Sequence, residues 1–167
     1  MIPVLAAFPV FALLAILQTA IVSRIPLLQG TADLVLLVII AWALQERVRT
    51  AWHWALVGSA FIGLASALNF YIPLIGYLVT TALALLLRRR IWQTPLLAMF
   101  ALTLLGTLIS HITTALSLSV AGTPLPWLET LEIITLPSLF LNILLAAPVY
   151  AIARDLAEWL HPEAIQI

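Results

Sequence analysis

Apolar residues in this chain come in long unbroken runs, not in the alternation of a half-buried strand or the narrow stripe of a surface helix. Runs of this length are the signature of helices that cross lipid, which takes about 20 apolar residues. The first, residues 3–22, ends at Ser23-Arg24-Ile25-Pro26. It has no basic segment before it and no small-residue cleavage site, so the expectation is a retained helix and not a signal peptide. The second apolar core, residues 33–44, is short for a span. It reaches membrane length only when residues 31–48 are taken together, with Arg47 extending toward the interface.

Residues 51–68 and 71–87 form a third and fourth run, separated by Asn69-Phe70 and closed by Arg88-Arg89-Arg90. Residues 96–120 are long enough to span with tilt, and the Gly-Pro-rich stretch 122–126 interrupts the pattern. Residues 127–132, with Glu129 and Glu132, read as a short interfacial piece. The last span covers 133–152 and contains Pro137 and Pro148, which membranes tolerate when neighbours satisfy the freed carbonyls. Residues 153–160 read as an amphipathic tail on the membrane surface, with Leu156, Trp159 and Leu160 opposite Arg154, Asp155 and Glu158. The predicted fold class is an all-α integral membrane protein, a single transmembrane domain of residues 1–167 with six helices.

Charge orients these helices. With both termini in the cytoplasm, Arg47, Arg49, Arg88, Arg89, Arg90 and Arg154 lie inside and only Arg24 lies outside, as the positive-inside rule requires. Omitting the short second helix would put Arg47 and Arg49 opposite the triple arginine. Composition then narrows the chemistry. The chain is 64% hydrophobic and 8% charged, with zero net charge and no cysteine, and its mean hydropathy is +1.18. That excludes a basic nucleic-acid surface, disulfides, thiolate metal sites and thiol nucleophiles.

The polar groups inside the spans are few. Thr103, Thr107, Ser110, His111, Thr114 and Ser117 share about 120° of arc on the fifth helix, with Gly106 beside them. The third helix carries Ala55, Ser59, Gly63 and Ala67 four apart, a row that favours close helix crossing. Ser138, Asn142 and Ala146 repeat that spacing on the sixth. Asp33 follows Thr31, which reads as a helix cap, and lies at the level of Gln18. No protease, nucleotide-binding or nucleophile-elbow motif is present, and His53, His111 and His161 lack ligand spacing. No catalytic, cofactor or metal residue is therefore assigned, and the expectation is a protein that is not an enzyme. Among alternatives, a lipid-acting enzyme would have only His53, between Trp52 and Trp54, and an aromatic belt explains that trio.

Several local strings, in order, carry a resemblance: Leu17-Gln18, Ala32-Asp33-Leu34-Val35-Leu36-Leu37, Ala43-Leu44, Gly58-Ser59-Ala60-Phe61-Ile62-Gly63-Leu64, Pro73-Leu74-Ile75-Gly76-Tyr77, and Pro137-Ser138-Leu139-Phe140-Leu141-Asn142-Ile143-Leu144-Leu145. Together they resemble the rod-shape-determining membrane protein family MreD. Ala32 stands where that family has Pro, and Ala67 where it has Asp. The resemblance implies a non-catalytic subunit of the bacterial cytoplasmic membrane. Its implied partners are the bitopic protein MreC and also RodA, a class B penicillin-binding protein and MreB. No cofactor and no nucleic acid is implied. The six-helix fold of the family is similar to that of energy-coupling-factor transporter S components, so a vitamin-binding subunit is the alternative function. The candidate partner-binding residues are Gln18, Asp33, Ser59, Gly63, Thr107, Ser110 and Asn142, with the faces at Ser59/Gly63 and Thr107/Ser110 expected to receive a partner's helix.

Overall fold

The computed structural model describes residues 2–20, 28–66, 69–89, 94–123 and 125–162. Arg24, Ala67, Arg90 and the Ser23–Pro26 ending of the first run, all used in reading the sequence, lie outside the described residues. Among those described, the chain is helical, with no strand. The helices are α1 (Ile2–Leu5), α2 (Ala7–Ala20), α3 (Leu34–Leu44), α4 (Ala51–Ala65), α5 (Tyr71–Arg88), α6 (Pro95–Val120), α7 (Trp127–Thr130) and α8 (Leu136–Leu160), with a π-helical turn over Leu131–Thr135 joining α7 to α8. Four helical stretches are long and apolar enough to cross a membrane: Ile2–Ala20, Tyr71–Arg88, Pro95–Val120 and Trp127–Leu160. This is a helical membrane protein.

The break between α1 and α2 has a local cause. Pro9 has no N–H for the Leu5 carbonyl, and the helix continues through Ala6, whose amide reaches Ile2 and whose carbonyl accepts from Val10. α2 buries only Ala7 and Phe11 and packs mainly on α4.

α3 is the hub. It packs against α2, α4, α5, α6 and α8, and only Leu34 and Val38 of its residues are not buried. A helix that is hydrophobic all round is one enclosed all round, and in LVLLVIIAWAL the one polar side-chain group is the Trp42 indole N–H, which donates to Thr50 Oγ1 at 3.3 Å. At about 1.5 Å per residue its 11 residues rise about 16 Å, too little to cross lipid alone. Of the span expected over 31–48, only Leu34–Leu44 is helical: residues 29–33 are extended or turned, and the helix ends at Leu44. It can be short because the surrounding helices, not lipid, form its walls.

α5 and α8 run parallel to α3, while α2 and α6 run antiparallel to neighbours they touch. Tyr77 meets the start of α3 and Arg88 its end; Asn142 meets the start, and His161 lies beside Trp42 near the end. Gln18, late in α2, reaches the start of α3. Ser117, late in α6, bonds Tyr71 at the start of α5. One end of the bundle consequently gathers Arg47, Arg88 and Arg154, and the opposite end gathers Gln18, Asp33 and Tyr71.

Two further expectations change. Residues 127–132 are not a separate interfacial piece, and residues 153–160 are not a separate tail. The chain is helical without interruption from Trp127 to Leu160, 34 residues or about 50 Å at helical rise. That exceeds a hydrocarbon core of about 30 Å, so its ends project, and Glu129, Glu132, Arg154, Asp155 and Glu158 are exposed there. Trp54 is also not part of an interfacial belt. It is fully buried, stacked on Trp42 with ring centroids 3.8 Å apart and edge-on to Phe11 at 5.4 Å. Its indole N–H donates to the Pro3 carbonyl at 2.8 Å, pinning α1. Trp52, its neighbour, is exposed.

Candidate functional site

A set of polar side chains within the bundle gathers at the two ends of α3. A helix start leaves amides without intrahelical partners, and in hydrocarbon each one left unpaired costs several kcal/mol. All of them are met here. Gln18 Oε1 accepts from the Leu34 amide at 3.0 Å and the Val35 amide at 3.4 Å. Asp33 Oδ1 accepts from Leu36 at 2.9 Å, which makes Asp33 itself, and not Thr31, the helix cap. The Tyr77 hydroxyl donates to both Asp33 oxygens, at 3.1 and 2.9 Å. Both Asp33 side-chain oxygens accept hydrogen bonds and lie at the positive end of the α3 dipole.

The segment entering α3 is held by α8. Gln29 N–H donates to the Ile133 carbonyl at 3.1 Å, Thr31 N–H to Ser138 Oγ at 3.1 Å, and Asp33 N–H to Asn142 Oδ1 at 2.7 Å. Alternate residues of an extended strand point the same way, so residues 29, 31 and 33 present their amides to the π-turn and α8. The acceptor at Ile133 exists because Pro137, four residues later, has no N–H to fill it. The approach is close: a Cβ on Gly30 would sit 2.6 Å from Pro137 Cβ and from the Ser138 amide nitrogen. Non-helical backbone at membrane depth survives only where protein satisfies it, and α8 does so.

Asn142 completes the network. Its Nδ2 donates to Thr107 Oγ1 at 2.9 Å, and that hydroxyl donates to the Thr103 carbonyl at 2.7 Å. Asn142 and Thr107 are buried. At the other end of α3, Arg88 donates to the carbonyls of Gln45 at 2.7 Å, Val48 at 2.9 Å and Ala43 at 3.3 Å. Gln45 Nε2 donates to the Ala41 carbonyl at 3.0 Å.

Of the residues singled out from the sequence, Gln18, Asp33, Thr107 and Asn142 come together in this one network. The others do not join it. Ser59 is fully buried and donates to the Leu56 carbonyl at 2.8 Å. Gly63 lies against the Phe70 ring, where a Cβ would meet Cδ2 at 2.5 Å. Ser110 packs its backbone toward Gly76. Ser59 and Thr107 are buried among this chain's own helices, whereas Gly63 and Ser110 are half-buried. The stripe on α6 faces α5 and α8 in the same way: His111 Nδ1 is 3.0 Å from Thr135 Oγ1 on the π-turn, and Ser117 bonds Tyr71 at 3.2 Å. Thr103 Oγ1 is buried without a hydrogen-bond partner, and nothing in the structure explains it.

Tyr77 and Arg88 were not singled out for this role. Tyr77 has the amphipathic character of any interfacial aromatic, and Arg88 belongs to a triplet that orientation alone accounts for. The signal that could have found them is the unmet demand itself: a helix too short to span, with a lone Asp at its start, needs donors from elsewhere. Among the described residues, no group of three or more His, Asp or Glu side chains is placed to hold a metal ion. No protein-family model, no curated protein and no solved structure matches the chain.

Proposed function

We propose that this protein is a non-catalytic scaffold of the bacterial cytoplasmic membrane, of the MreD type, that binds an MreC-type bitopic partner and helps direct peptidoglycan synthesis and cell shape. One observation carries the reading. Five residues from the strings that carry the resemblance, Gln18, Asp33, Tyr77, Pro137 and Asn142, gather at one network that places α3, with donors and acceptors paired among themselves. Such a network maintains a shape and leaves no nucleophile or acid–base pair facing a cavity.

The topology proposed with it has six passes with both termini cytoplasmic. Its support is the gathering of Arg47, Arg88 and Arg154 at one end of the bundle, on the side the positive-inside rule assigns to the cytoplasm. RodA, a class B penicillin-binding protein and MreB are the further partners such a complex would contain. The docking surface proposed for the partner is the flank of α2 and α4. Phe8 and Ile16 of α2 and Leu56 and Leu64 of α4 face outward. A recess of about 250 Å³ beside Gln18, Thr19, Thr31 and Ser66 lies at the end away from the arginines, where a juxtamembrane segment would sit.

The experiment is site-specific photocrosslinking in cells, with the reactive residue at Ile16 or, as control, at Phe140 on α8. An adduct with the bitopic partner from Ile16 and none from Phe140 is the expected result. Failure of the partner to co-purify in mild detergent, together with retained rod shape after depletion of this protein, defeats the reading.

A further inference from the structure

Threonine hydroxyls inside these helices have a common habit. Those of Thr80, Thr81, Thr113 and Thr114 each donate to the carbonyl four residues back, at 2.7 to 2.9 Å. Thr135 departs from it. It closes the π-turn, where the Leu131 carbonyl that its hydroxyl would meet accepts from the Leu136 amide five residues on. Thr135 is 4% exposed, and among the described residues its hydroxyl has one partner, His111 Nδ1 at 3.0 Å. A buried hydroxyl hydrogen has to reach an acceptor, so Thr135 donates and Nδ1 accepts. That fixes the tautomer of the ring: its hydrogen sits on Nε2.

Nε2–H has no acceptor among the described residues. His111 is half-buried and lines a recess of about 140 Å³ between α6 and the start of the long helix that leads into α8. Thr130 lines the same recess from that second helix, half-buried and with no side-chain hydrogen bond among the described residues. The rest of the lining is apolar, chiefly Ile112, Trp127 and Leu131. A donor left unpaired in hydrocarbon costs several kcal/mol, and acyl chains bring no acceptor to it. At about 30 Å³ for each water-sized group the recess has room for about four or five of them. That is too little for a helix or a whole lipid and enough for one polar side chain.

We propose that this recess is a socket for one carboxamide side chain, Asn or Gln, carried on the membrane-spanning helix of another protein. The carboxamide oxygen accepts from His111 Nε2–H and its amino group donates to Thr130 Oγ1. The helix that bears it rests on Ile112, Leu116 and Leu131, which face outward. Complementarity of donors and acceptors selects this occupant. A carboxamide carries an acceptor and a donor side by side. A lipid ester carbonyl answers the histidine and returns no donor to Thr130, and a carboxylate would have to enter hydrocarbon with its charge. Interhelical hydrogen bonds from Asn and Gln are a recurring means of holding membrane helices together. The inference does not rest on the scaffold reading, since it concerns a different flank from α2 and α4 and is read with a synthetic helix.

The test uses the full chain in phosphatidylcholine vesicles, with a donor dye on Thr123→Cys, an exposed position. The probe is a Leu-Ala transmembrane peptide of about 22 residues bearing an acceptor dye, dilute enough to stay monomeric. It carries a single Asn, moved through one helical turn so that one version meets the recess, and an Asn-free peptide is the reference. Energy transfer is expected to show the best-placed Asn peptide associating about fivefold more tightly than the reference, the scale of one interhelical hydrogen bond. His111→Phe keeps a ring in place and should abolish that difference while binding of the reference peptide stays unchanged. Thr130→Val, at a half-buried position, should reduce the difference and decides the matter where His111→Phe does not fold. Equal association of Asn and reference peptides at every position, or a folded variant that keeps the full preference, overturns the proposal.

Discussion

Tyr77 and Tyr71 sit on the same helix and both make side-chain hydrogen bonds, yet they differ in what depends on them. Tyr77 is 2% exposed and supplies the donor shared by both Asp33 oxygens. Tyr71 is 50% exposed and bonds Ser117, where water or lipid head groups can replace it. Removing a partner from a buried polar group costs the desolvation of the group left behind, about 1–3 kcal/mol and more when it is charged. Tyr77→Phe is therefore expected to lower stability by about 2 kcal/mol and Tyr71→Phe by less than about 0.5 kcal/mol. Denaturant unfolding in detergent measures both, and equal losses would mean that Asp33 is not held as the geometry indicates. At this scale Gln18, Asp33 and Asn142 were legible in the sequence because a polar side chain in an apolar run must find a partner. Which partner was not legible, since Tyr77 is 44 residues from Asp33 and Asn142 is 109.

The extended entry to α3 is the element on which the arrangement turns. Gly30 lets it lie on α8, and the obstacle a side chain would meet there is backbone and a rigid proline ring, neither of which can swing away. Gly76, by contrast, faces Ser110 at ordinary contact distance, 3.6 Å. Gly30→Ala should cost about 1–3 kcal/mol through overpacking. Gly76→Ala should be neutral or stabilising by up to about 1 kcal/mol, because it removes glycine from a helix interior. Thermal melts of the two variants side by side check the contrast, and the same sign for both would remove the argument for close docking on Pro137. The sequence marks residues 29–33 only as the edge of a run. Their extended form is set by acceptors on α8, four to five helices away in chain order, so no local pattern announces it.

For the whole molecule, the absence of cysteine makes topology directly testable. Single variants Glu46→Cys, Thr123→Cys and Glu158→Cys lie at exposed positions near the two ends of the bundle. With the proposed orientation, an impermeant maleimide added to intact spheroplasts labels Thr123→Cys at once and the other two only after permeabilisation. The reverse pattern inverts the orientation, and labelling of Glu46→Cys from the side of Thr123→Cys removes α3 from the count of passes. Four helical stretches are long enough to cross a membrane, while α3 and α4 are short. For α3 the shortness follows from assembly: a helix enclosed by others needs length only to reach its capping groups, not to cross lipid.

The apolar runs by themselves determined that this chain is helical and lies in a membrane, because lipid leaves backbone polar groups no partner outside the helix. They also located the few polar side chains that had to be paired. Tertiary structure alone decided how they pair: that α3 is the buried centre, and that its two ends are capped by Gln18, Tyr77, Asn142 and Arg88 from three other helices. The physical reason is range. Helix formation follows from neighbours three and four residues apart, whereas the enclosure of a short helix is a property of everything packed around it.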